Sequence, residues 1–388
     1  MSADRHLKAT GVYINRPRAA ERTRAEQLAS LFDANAAQTV RNLLSQCPVH
    51  RPTPLVMLPK VAQTARVARV EIKDERARMG LASFKALGGA YAVLMTAARL
   101  EALASRTGIA EMIAEKRAGR MTFAAATAGN HGRAVAAGAS LVGARCMIFV
   151  YRGVPAAQVA AIAQYGAEIV EVNGVYEDAL AECVRRSATE GWIVLSDSSW
   201  AGNIEEPVRV MQGYSVLAAE IVEQCASPPT HVFLQAGVGG LAAAVAGHFH
   251  AVWGAAAPKV IVVEPQAAPC LRVSVQRRAM TRVPARSRTT MGRLECYEPS
   301  LIAWETLLGL ASLFIAVDDD QARAAVEALA QLGLATTPSG AAGLAGLVRV
   351  CADDGLRNAA HLSADSRLLL IATEAALGGS EPPRVLSR

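Results

Sequence analysis

A lysine and a pair of glycine-rich segments are the parts of this chain whose residue types and spacing best suit chemistry. Lys85 lies in the apolar segment Ser83–Gly89, and the segment Thr127–Gly132 follows it. An amine condenses with an aldehyde only when it is neutral, so a lysine that does this must be desolvated or lie near positive charge, which lowers its pKa. These features indicate a lysine that carries an aldehyde cofactor. The alternative is a lysine whose apolar stem packs at the start of a helix.

Few other side chains in the sequence could form such an adduct. Arginine, which carries most of the basic charge, cannot form it at ordinary pH. Only Lys85 has an apolar, glycine-rich setting among the lysines, and the others are Lys8, Lys60, Lys73, Lys116 and Lys259. The search for a Schiff-base lysine therefore leads to Lys85.

Length and composition predict a compact protein of two domains or two lobes. The chain has 388 residues, of which 52% are apolar and 19% charged, which is ample for a hydrophobic core and unlike a disordered chain. The net charge is +6, but the arginines are scattered apart from local groups such as the one between Arg277 and Arg288. No recognised nucleic-acid motif surrounds that group, so we interpret it as an exposed basic loop and expect no nucleic-acid partner.

The sequence also bears on location and on metals. The segment Met1–Gln27 is charged and has no apolar signal region, and apolar stretches such as Leu241–Val252 are too short to span a bilayer. We therefore expect a cytoplasmic protein without a membrane partner. The seven cysteines are widely spaced and include no CxxC pair, so we expect no metal site and reduced thiols.

Short apolar runs alternate with longer alanine-rich stretches along the chain. Nine runs are predicted to be strands: Val67–Ile72, Met121–Ala126, Cys146–Tyr151, Glu168–Val172, Trp192–Ser196, His231–Gln235, Lys259–Glu264, Leu313–Val317 and Arg367–Ala372. Helices are predicted between several of them, for example over Ala156–Tyr165 and Asp320–Leu332. This alternation predicts an α/β fold with mostly parallel sheets covered by helices. The arginine-rich stretch Arg277–Tyr297 is the predicted long loop.

A glycine-rich loop after one predicted strand has two interpretations. The segment Ala236–Ala242 follows the strand that ends at Gln235 and precedes an alanine-rich helix. Glycines let the backbone approach a phosphate, and a helix N-terminus offers free N–H groups and positive potential. The same residues satisfy a dinucleotide-binding pattern, with Glu264 at the end of the next strand available for a ribose. A nicotinamide-dependent enzyme is thus one alternative, and the other motifs have to decide.

Taken together, the motifs resemble one family along most of the chain. They occur in the order found in the pyridoxal-phosphate β-eliminating enzymes related to threonine dehydratase, and they most closely resemble the diaminopropionate ammonia-lyase subgroup. The matching segments are Lys73–Glu75, Gly80–Leu81, Phe84–Lys85, Thr127–Gly132, Asp197 with Trp200, Met211–Tyr214, Gln235–Leu241, Cys296 with Glu298–Pro299, and Thr373–Glu374.

The resemblance implies a role for each matching site residue. Lys85 would hold pyridoxal phosphate as a Schiff base, with Phe84 beside it, and Asn130 would hydrogen-bond the ring hydroxyl. Thr373 would face the pyridine nitrogen, where a neutral hydroxyl leaves the ring a weaker electron sink than an acid would. The phosphate would lie in a cradle made by Gly237, Val238, Gly239, Gly240 and Leu241.

The resemblance also implies an architecture. It implies fold type II, as in tryptophan synthase beta, with residues 1–88 and 212–388 forming a large cofactor-binding domain and residues 89–211 forming a small domain inserted in it. A homodimer that acts on a small amino acid is implied as well.

The implied reaction is β-elimination. Lys85, freed by the substrate amine, would take the α-proton. With 2,3-diaminopropionate the products would be pyruvate and two ammonia. Asp197 is the acidic residue we expect near the substrate's amino group, since a carboxylate can hold a second ammonium; its alternative role is a helix cap.

The chain departs from its relatives at two positions and leaves other functions open. Ala128 stands where ammonia-lyases resembling this chain have an aspartate that is thought to act as base for the D-isomer. Because a missing general base costs about 10²–10⁴-fold, we predict selectivity for the L-isomer. Pro338 stands where relatives have an acidic residue. An L-serine or L-threonine dehydratase, or a cofactor-binding protein with little turnover, are the alternatives.

Two cysteines flank the predicted arginine-rich loop and correspond to a cysteine pair in the ammonia-lyase subgroup. We hypothesise that Cys270 and Cys296 lie close together and could form a disulfide. A reducing cytosol favours free thiols instead.

Overall fold

Two mostly parallel sheets organise the molecule. The structure, a computed structural model, describes residues 11–47, 49–102, 106–127 and 129–376. The strands β1 to β11 are, in chain order, Val12–Ile14, Leu55–Met57, Arg69–Asp74, Thr122–Ala126, Arg145–Tyr151, Glu168–Val172, Ile193–Val194, His231–Gln235, Lys259–Pro265, Ala311–Val317 and Arg367–Ala372. All nine predicted strands are confirmed, with ends that differ by at most two residues. Most of them are largely apolar and buried, as is typical of inner strands of parallel sheets, whereas β6 and β7 are only partly buried. The short strands β1 and β2 were not predicted.

The helices lie between and around the strands. Helices α1 to α15 are, in chain order, Ala19–Ala29, Ala34–Leu44, Pro59–Ala65, Lys85–Leu100, Arg106–Ala114, Asn130–Val142, Ala156–Ala163, Tyr176–Glu190, Glu205–Gln224, Gly240–Trp253, Cys270–Arg277, Leu301–Leu310, Asp319–Gln331, Pro338–Cys351 and Asp354–Ala360. The predicted helices over Ala156–Tyr165 and Asp320–Leu332 are α7 and α13. Between α11 and α12 the chain has no helix or strand, as predicted for the arginine-rich stretch.

The strands form a large sheet and a small sheet. The large sheet has the order β1-β10-β9-β8-β11-β3-β2, and its five inner strands run parallel. The edge strands β1 and β2 pair antiparallel with their neighbours. The small sheet has the order β6-β5-β4-β7 and is parallel throughout. The predicted α/β class, with mostly parallel sheets covered by helices, is confirmed.

The predicted division into two domains assigns each sheet to a different domain. All strands of the small sheet fall within residues 89–211, and all strands of the large sheet fall outside that range. The predicted boundaries themselves fall inside α4 and α9, which are continuous helices. The exact division therefore stays a prediction.

Helix α4, which begins at Lys85, is held in place by a very close approach to α9. A Cβ atom on Gly213 of α9 would lie 2.5 Å from the Cα atom of Gly88 in α4, and one on Gly88 would lie 2.5 Å from the Tyr214 ring. Only glycine permits backbones to approach so closely. The contact fixes the N-terminus of α4 relative to α9, and with it the position of Lys85.

No helix within the described ranges is long and apolar enough to cross a membrane. The apolar stretch Leu241–Val252 forms most of α10, whose residues are buried along nearly its whole length.

Candidate active site

One cavity brings together all ten residues that the sequence singled out for a site. Its lining includes Lys85, Asp197, Phe84, Asn130, Gly237, Val238, Gly239, Gly240, Leu241 and Thr373. Several of these residues stand where a strand of either sheet ends or where a helix begins, which is where open parallel sheets bind ligands. The cavity is therefore the candidate active site.

Lys85 lines this cavity and is paired with Asp197. The lysine Nζ is 2.6 Å from Asp197 Oδ2, and the Tyr176 hydroxyl donates to Asp197 Oδ1 at 3.0 Å. The Phe84 and Tyr214 rings lie beneath the ammonium, with centroids 5.3 and 5.4 Å from Nζ. The lysine is thus held by one carboxylate and two aromatic faces, and its side chain keeps 20% of its surface exposed to the cavity.

The electrostatics of this pair differ from the expectation that the Lys85 pKa is lowered. Burial alone would lower the pKa of Lys85, but the charge of Asp197 and the neighbouring Tyr214 hydroxyl outweigh burial, so the pKa of Lys85 is raised. Burial would raise the pKa of Asp197, yet Lys85 and His131 hold it below its usual value. In this state Lys85 is an ammonium, and its conversion to a reactive amine requires that the pair with Asp197 gives up a proton or separates.

The glycine loop joins β8 to α10 as predicted. Gly239 has a φ of +99°, in the left-handed region that side chains disfavour. A Cβ atom on Gly237 would lie 3.0 Å from Cys296 Sγ. The N–H groups of the first turn of α10 have no acceptor within that helix, and no side chain caps them. This loop is a cradle for an anion such as a phosphate.

The dinucleotide interpretation of the same loop is wrong. Glu264, which was its candidate ribose ligand, is fully buried and accepts hydrogen bonds from the backbone N–H groups of Leu271 and Arg272, both at 2.8 Å. Burial raises the pKa of Glu264 to about 7. Its carboxylate caps α11 and does not face the cavity.

Asn130 is the first residue of α6, directly after Gly129, whose φ is +142°. The Asn130 Nδ2 group donates to Glu374 Oε2, and Asn130 Oδ1 accepts from Arg133 Nη2 at 3.2 Å. His131 is buried, and one of its ring nitrogens is 2.8 Å from the Leu195 carbonyl oxygen. The side chain of Asn130 lines the cavity in a defined orientation.

Thr373 follows β11 directly and is buried at the wall of the cavity. Its carbonyl oxygen accepts from the Phe84 N–H at 3.1 Å, which ties the end of β11 to the segment before Lys85. The Thr373 hydroxyl lies 3.5 Å from Gln235 Nε2. This hydrogen bond between backbones thus positions both Phe84 and Thr373 at the cavity.

The structure adds residues that sequence reasoning did not place in the site. Tyr176, Arg293, Glu295 and Glu374 also line the cavity. Glu374 adjoins Thr373 in a motif that the sequence did single out, so its position was a usable signal. Tyr176 and Arg293 come from segments that had no local signal of this kind.

The structure describes only one of the two positions at which this chain departs from the related enzymes. Ala128 lies outside the described residues. Pro338 is the first residue of α14, and the Thr337 hydroxyl before it caps that helix by accepting from Gly340 N at 3.1 Å. Proline is favoured at this position because the missing N–H would be unpaired in any case. The position of Pro338 at the start of α14 thus explains in structural terms why proline is accepted there.

The two cysteines of the disulfide hypothesis are free thiols in this structure. Both lie against Gly237: Cys270 Sγ is 3.6 Å from the Gly237 carbonyl oxygen, and Cys296 Sγ limits the space beside Gly237. Burial raises the pKa of both thiols well above the usual value. Their proximity to the phosphate cradle is established, and no disulfide joins them.

The residues present fit pyridoxal phosphate. A lysine for its aldehyde, an anion cradle for its phosphate and an amide with a spare N–H for its ring hydroxyl share one cavity. Coordination of a metal is not needed to explain any of them, and no group of three or more metal-binding side chains occurs in the described ranges.

Comparisons with known proteins agree with this chemistry. The profile of the family described as pyridoxal-phosphate dependent enzyme matches residues 47–374. The diaminopropionate ammonia-lyase of Escherichia coli K12 is 34% identical over 355 residues, which cover 89% of each chain. That of Salmonella typhimurium is 36% identical over 368 residues, which cover 89% of this chain and 90% of that protein.

A solved structure extends the similarity to the fold. The Escherichia coli diaminopropionate ammonia-lyase in complex with D-serine superimposes with a TM-score of 0.84 at 32% identity, covering 94% of this chain and 93% of that one. The sequence-based expectation of pyridoxal phosphate as cofactor is thereby confirmed, as are the resemblance and fold type II. The chain belongs to the family of pyridoxal-phosphate-dependent enzymes, as a diaminopropionate ammonia-lyase-like member of fold type II.

Proposed function

We propose that the protein is an L-selective ammonia-lyase that converts 2,3-diaminopropionate and water to pyruvate and two ammonia. One observation carries the proposal: Lys85 and Asp197 form a close pair in the cavity that also contains the glycine cradle. The similarity to ammonia-lyases over nearly the whole chain supports the reaction class.

Bound pyridoxal phosphate supplies an aldehyde for the substrate amine and a conjugated ring that withdraws electrons from the α-carbon. The phosphate is assigned to the backbone from Gly237 to Leu241, and the ring hydroxyl to Asn130. Thr373 is assigned to the pyridine nitrogen. None of these three groups carries a full charge, so the ring is held without being forced into its most electron-withdrawing state.

Lys85 is the proposed base. When its amine is not bonded to the cofactor, Lys85 would accept the α-proton at Nζ. Loss of the β-amino group as ammonia and hydrolysis of the remaining enamine then give pyruvate and the second ammonia. The phenyl ring of Phe84 and the ring of Tyr214 keep water from the side of Lys85 that they cover.

Asp197 is proposed to act on the substrate's second amino group. Beside the Lys85 ammonium the pKa of this carboxyl is held below its usual value, and the Tyr176 hydroxyl orients it. When Lys85 is engaged elsewhere, a substrate ammonium would take its place as the positive partner of Asp197. A carboxylate in that position attracts the ammonium that distinguishes 2,3-diaminopropionate from serine and threonine. This contact is the proposed source of specificity for the diamine.

Selectivity for the L-isomer follows from the identity of residue 128. Lys85 would take a proton from one face of the substrate only, and the alanine at 128 has no group that could act as a second base. The absence of a general base commonly costs about 10²–10⁴-fold. The D-isomer is therefore expected to react at least about a hundredfold more slowly than the L-isomer.

The deciding experiment measures 2-oxo acid release by the purified protein with added pyridoxal phosphate. L- and D-diaminopropionate, L-serine and L-threonine are compared under identical conditions. Pyruvate from the L-diamine far above the rest supports the proposal. Activity confined to the hydroxy amino acids would make the protein a dehydratase, and cofactor absorbance without any elimination would make it a cofactor-binding protein. Equal rates on both diamine isomers would refute L-selectivity.

A variant at residue 128 tests the reason for the selectivity. Ala128→Asp supplies a carboxylate and is expected to raise the rate on the D-isomer by at least about tenfold, with a smaller change for the L-isomer. Ala128→Asn is the matched control, because it adds nearly the same volume without a base. An equal gain in both variants would show that space and not proton transfer sets the selectivity.

The resemblance further leads us to propose a homodimer located in the cytoplasm. Light scattering during size-exclusion chromatography measures the mass in solution, and a mass of one chain would exclude the dimer. Cell fractionation tests the location.

A further inference from the structure

Glu374 is a buried carboxylate in the cofactor cavity that the proposed reaction does not use. Its side chain is 3% exposed. The carboxylate accepts from Asn130 Nδ2 on one oxygen and from the Thr337 hydroxyl on the other, and Arg293 Nη1 lies 2.9 Å from that second oxygen. A buried carboxylate with this many donors is fixed in position.

The amide of Asn130 is held at both ends by charged groups. Its Nδ2 donates one hydrogen to Glu374, and its Oδ1 accepts from Arg133 at 3.2 Å. A side-chain amide has two N–H donors and one carbonyl acceptor, and its two orientations are nearly equal in shape. Reversing the amide here would place Oδ1 against the Glu374 carboxylate and Nδ2 against the Arg133 guanidinium, and both contacts would be repulsive.

We propose that Glu374 and Arg133 are positioning residues that orient the Asn130 amide, so that its second N–H is kept for the ring hydroxyl of pyridoxal phosphate. The inference deepens the proposed function and rests on the role assigned there to Asn130. A donor to the ring oxygen favours the ionised form of that oxygen. Glu374 thereby acts on the cofactor through Asn130 without touching the reacting atoms.

The position of Glu374 in the fold suits this role. Its backbone pairs with Ser83, two residues before Lys85, and its carbonyl oxygen accepts from the Thr336 hydroxyl. Asn130 stands at the start of α6, which packs on α4 and the small sheet. The contact between Asn130 and Glu374 therefore connects the segment that carries the ring-hydroxyl donor to the segment that carries the Schiff-base lysine.

The test uses Glu374→Gln, which keeps the side-chain volume and removes the charge. Glu71→Gln is the matched control: Glu71 is also a buried carboxylate beside an arginine, Arg69 at 3.2 Å, and it lines no part of the cavity. In both pairs the arginine side chain is 16% exposed. The control measures what the loss of a buried carboxylate does by itself.

The readouts are the absorption spectrum of the bound cofactor and its dissociation constant, both without substrate. We expect Glu374→Gln to weaken cofactor binding about tenfold and to reduce the share of the absorption band of the ionised ring. An uncharged amide holds the Asn130 amide less firmly than a carboxylate does, which weakens the hydrogen bond from Asn130 to the ring hydroxyl. Glu71→Gln is expected to leave both unchanged. Equal behaviour of the two variants would overturn the proposal.

A double-mutant cycle separates positioning from a general structural effect. In an Asn130→Ala protein the amide is absent, so adding Glu374→Gln is expected to change cofactor affinity less than about twofold. Additive losses would overturn the proposal. If Glu374→Gln does not fold, Arg133→Gln is measured in the same way, and an unchanged spectrum in that variant would also overturn it.

These readouts are independent of the substrate. A failure of the protein to release pyruvate would remove the proposed reaction and leave the cofactor spectra interpretable. Unchanged spectra in an active enzyme would remove the role of Glu374 and leave the reaction in place.

Discussion

Lys73 is a buried lysine and Lys85 a partly buried one, and each lies beside a carboxylate. Comparing them shows what makes only one of them suitable as a reactive group. Lys73 Nζ lies 2.7 Å from Glu220 Oε2, 2.7 Å from the Thr53 carbonyl oxygen and 2.9 Å from Gln224 Oε1. An ammonium has three donors, and these three acceptors use all of them. Lys85 is bonded to Asp197 and faces an open cavity. The free access of Lys85 to a ligand, and not its burial, distinguishes it.

The pKa shifts of the two lysines are opposite to the expectation that the reactive lysine has the lowered pKa. Burial, the largest influence on Lys73, lowers its pKa despite Glu220 and Glu75, whereas Asp197 and Tyr214 outweigh burial at Lys85 and raise its pKa. A search for a lysine with a lowered pKa would have selected Lys73 and Lys259, neither of which lines the cavity. Geometry therefore has to precede electrostatics in choosing a reactive lysine.

The network around Lys73 has a different function from the pair at Lys85. Arg78 is fully buried and bonds both Glu75 and Glu220, with Nη2 at 2.7 Å from each. It also donates to the Thr53 hydroxyl at 3.0 Å. Every charge in this network has a partner of opposite sign, and the network connects β3 with α9. None of its charged groups is therefore free to act on a substrate.

The largest expected effect comes from removing the reactive lysine. Lys85→Ala is expected to abolish the Schiff-base absorbance and to lower the rate of 2-oxo acid release by roughly 10⁴-fold, because both the covalent attachment and the proton acceptor are lost. The measurements are an absorption spectrum with added cofactor and a pyruvate assay. Lys73→Met serves as the contrast and is expected to keep the Schiff-base band wherever the protein remains folded. Loss of that band in Lys73→Met alone would reverse the comparison.

The second effect is on stability. Arg78→Met is expected to lower the free energy of unfolding by about 3–5 kcal/mol, because it leaves two buried carboxylates without their shared partner. Urea unfolding followed by circular dichroism measures it. The control is Arg185→Met, since Arg185 forms an exposed pair with Glu182 and such pairs contribute about 0–1 kcal/mol. Similar losses in both variants would show that the buried network is no more important than a surface pair.

The third effect is a pH dependence of stability that belongs to the network. Burial would raise the pKa of Glu220, but Arg78 and Lys73 lower it to about 2 from an ordinary value of 4.5. Between these values the unfolded state binds more protons than the folded state, so stability increases with pH. The contribution is present above pH 4.5 and is lost as the pH falls towards 2. The measurement is urea unfolding across this range, and Glu220→Gln is expected to show a shallower dependence than the unchanged protein.

The smallest effect concerns the partner of the reactive lysine. Asp197→Asn removes the charge that is proposed to hold the substrate's second ammonium, and hydrogen bonds to charged groups contribute about 1.5–3 kcal/mol. We expect kcat/KM for L-diaminopropionate to fall about 10- to 100-fold with an intact Schiff-base band. L-Serine, which lacks the second ammonium, is the control substrate. An equal loss on both substrates would assign Asp197 to Lys85 and not to the substrate.

Much of the fold was predictable because most of its strands are short, largely apolar runs between alanine-rich helices. The strands β1 and β2 were missed because each has only three residues and pairs antiparallel at an edge, where little apolar sequence is needed. The strand predicted over Trp192–Ser196 was longer than β7. Only Ile193 and Val194 pair with β4, and the apolar residues Trp192 and Leu195 on either side extend the apolar run beyond them.

The candidate site was predictable where a motif is local. Lys85, Asn130 and the loop from Gly237 to Leu241 each stand in a short segment whose composition indicates a chemical role, and their combination selected one interpretation of the loop. The direction of the Lys85 pKa was not predictable, because it depends on Asp197, which lies 112 residues further along the chain.

The sequence by itself determined the class of chemistry. A lysine in an apolar glycine-rich segment, an amide at a helix start and a glycine loop between a strand and a helix each specify a local backbone shape and a chemical group. Only the tertiary structure decided which distant side chains surround them. Glu374 reaches Asn130 across 244 residues, and no spacing rule spans such a separation, because a contact of that kind depends on how the two sheets pack and not on any local preference of the chain.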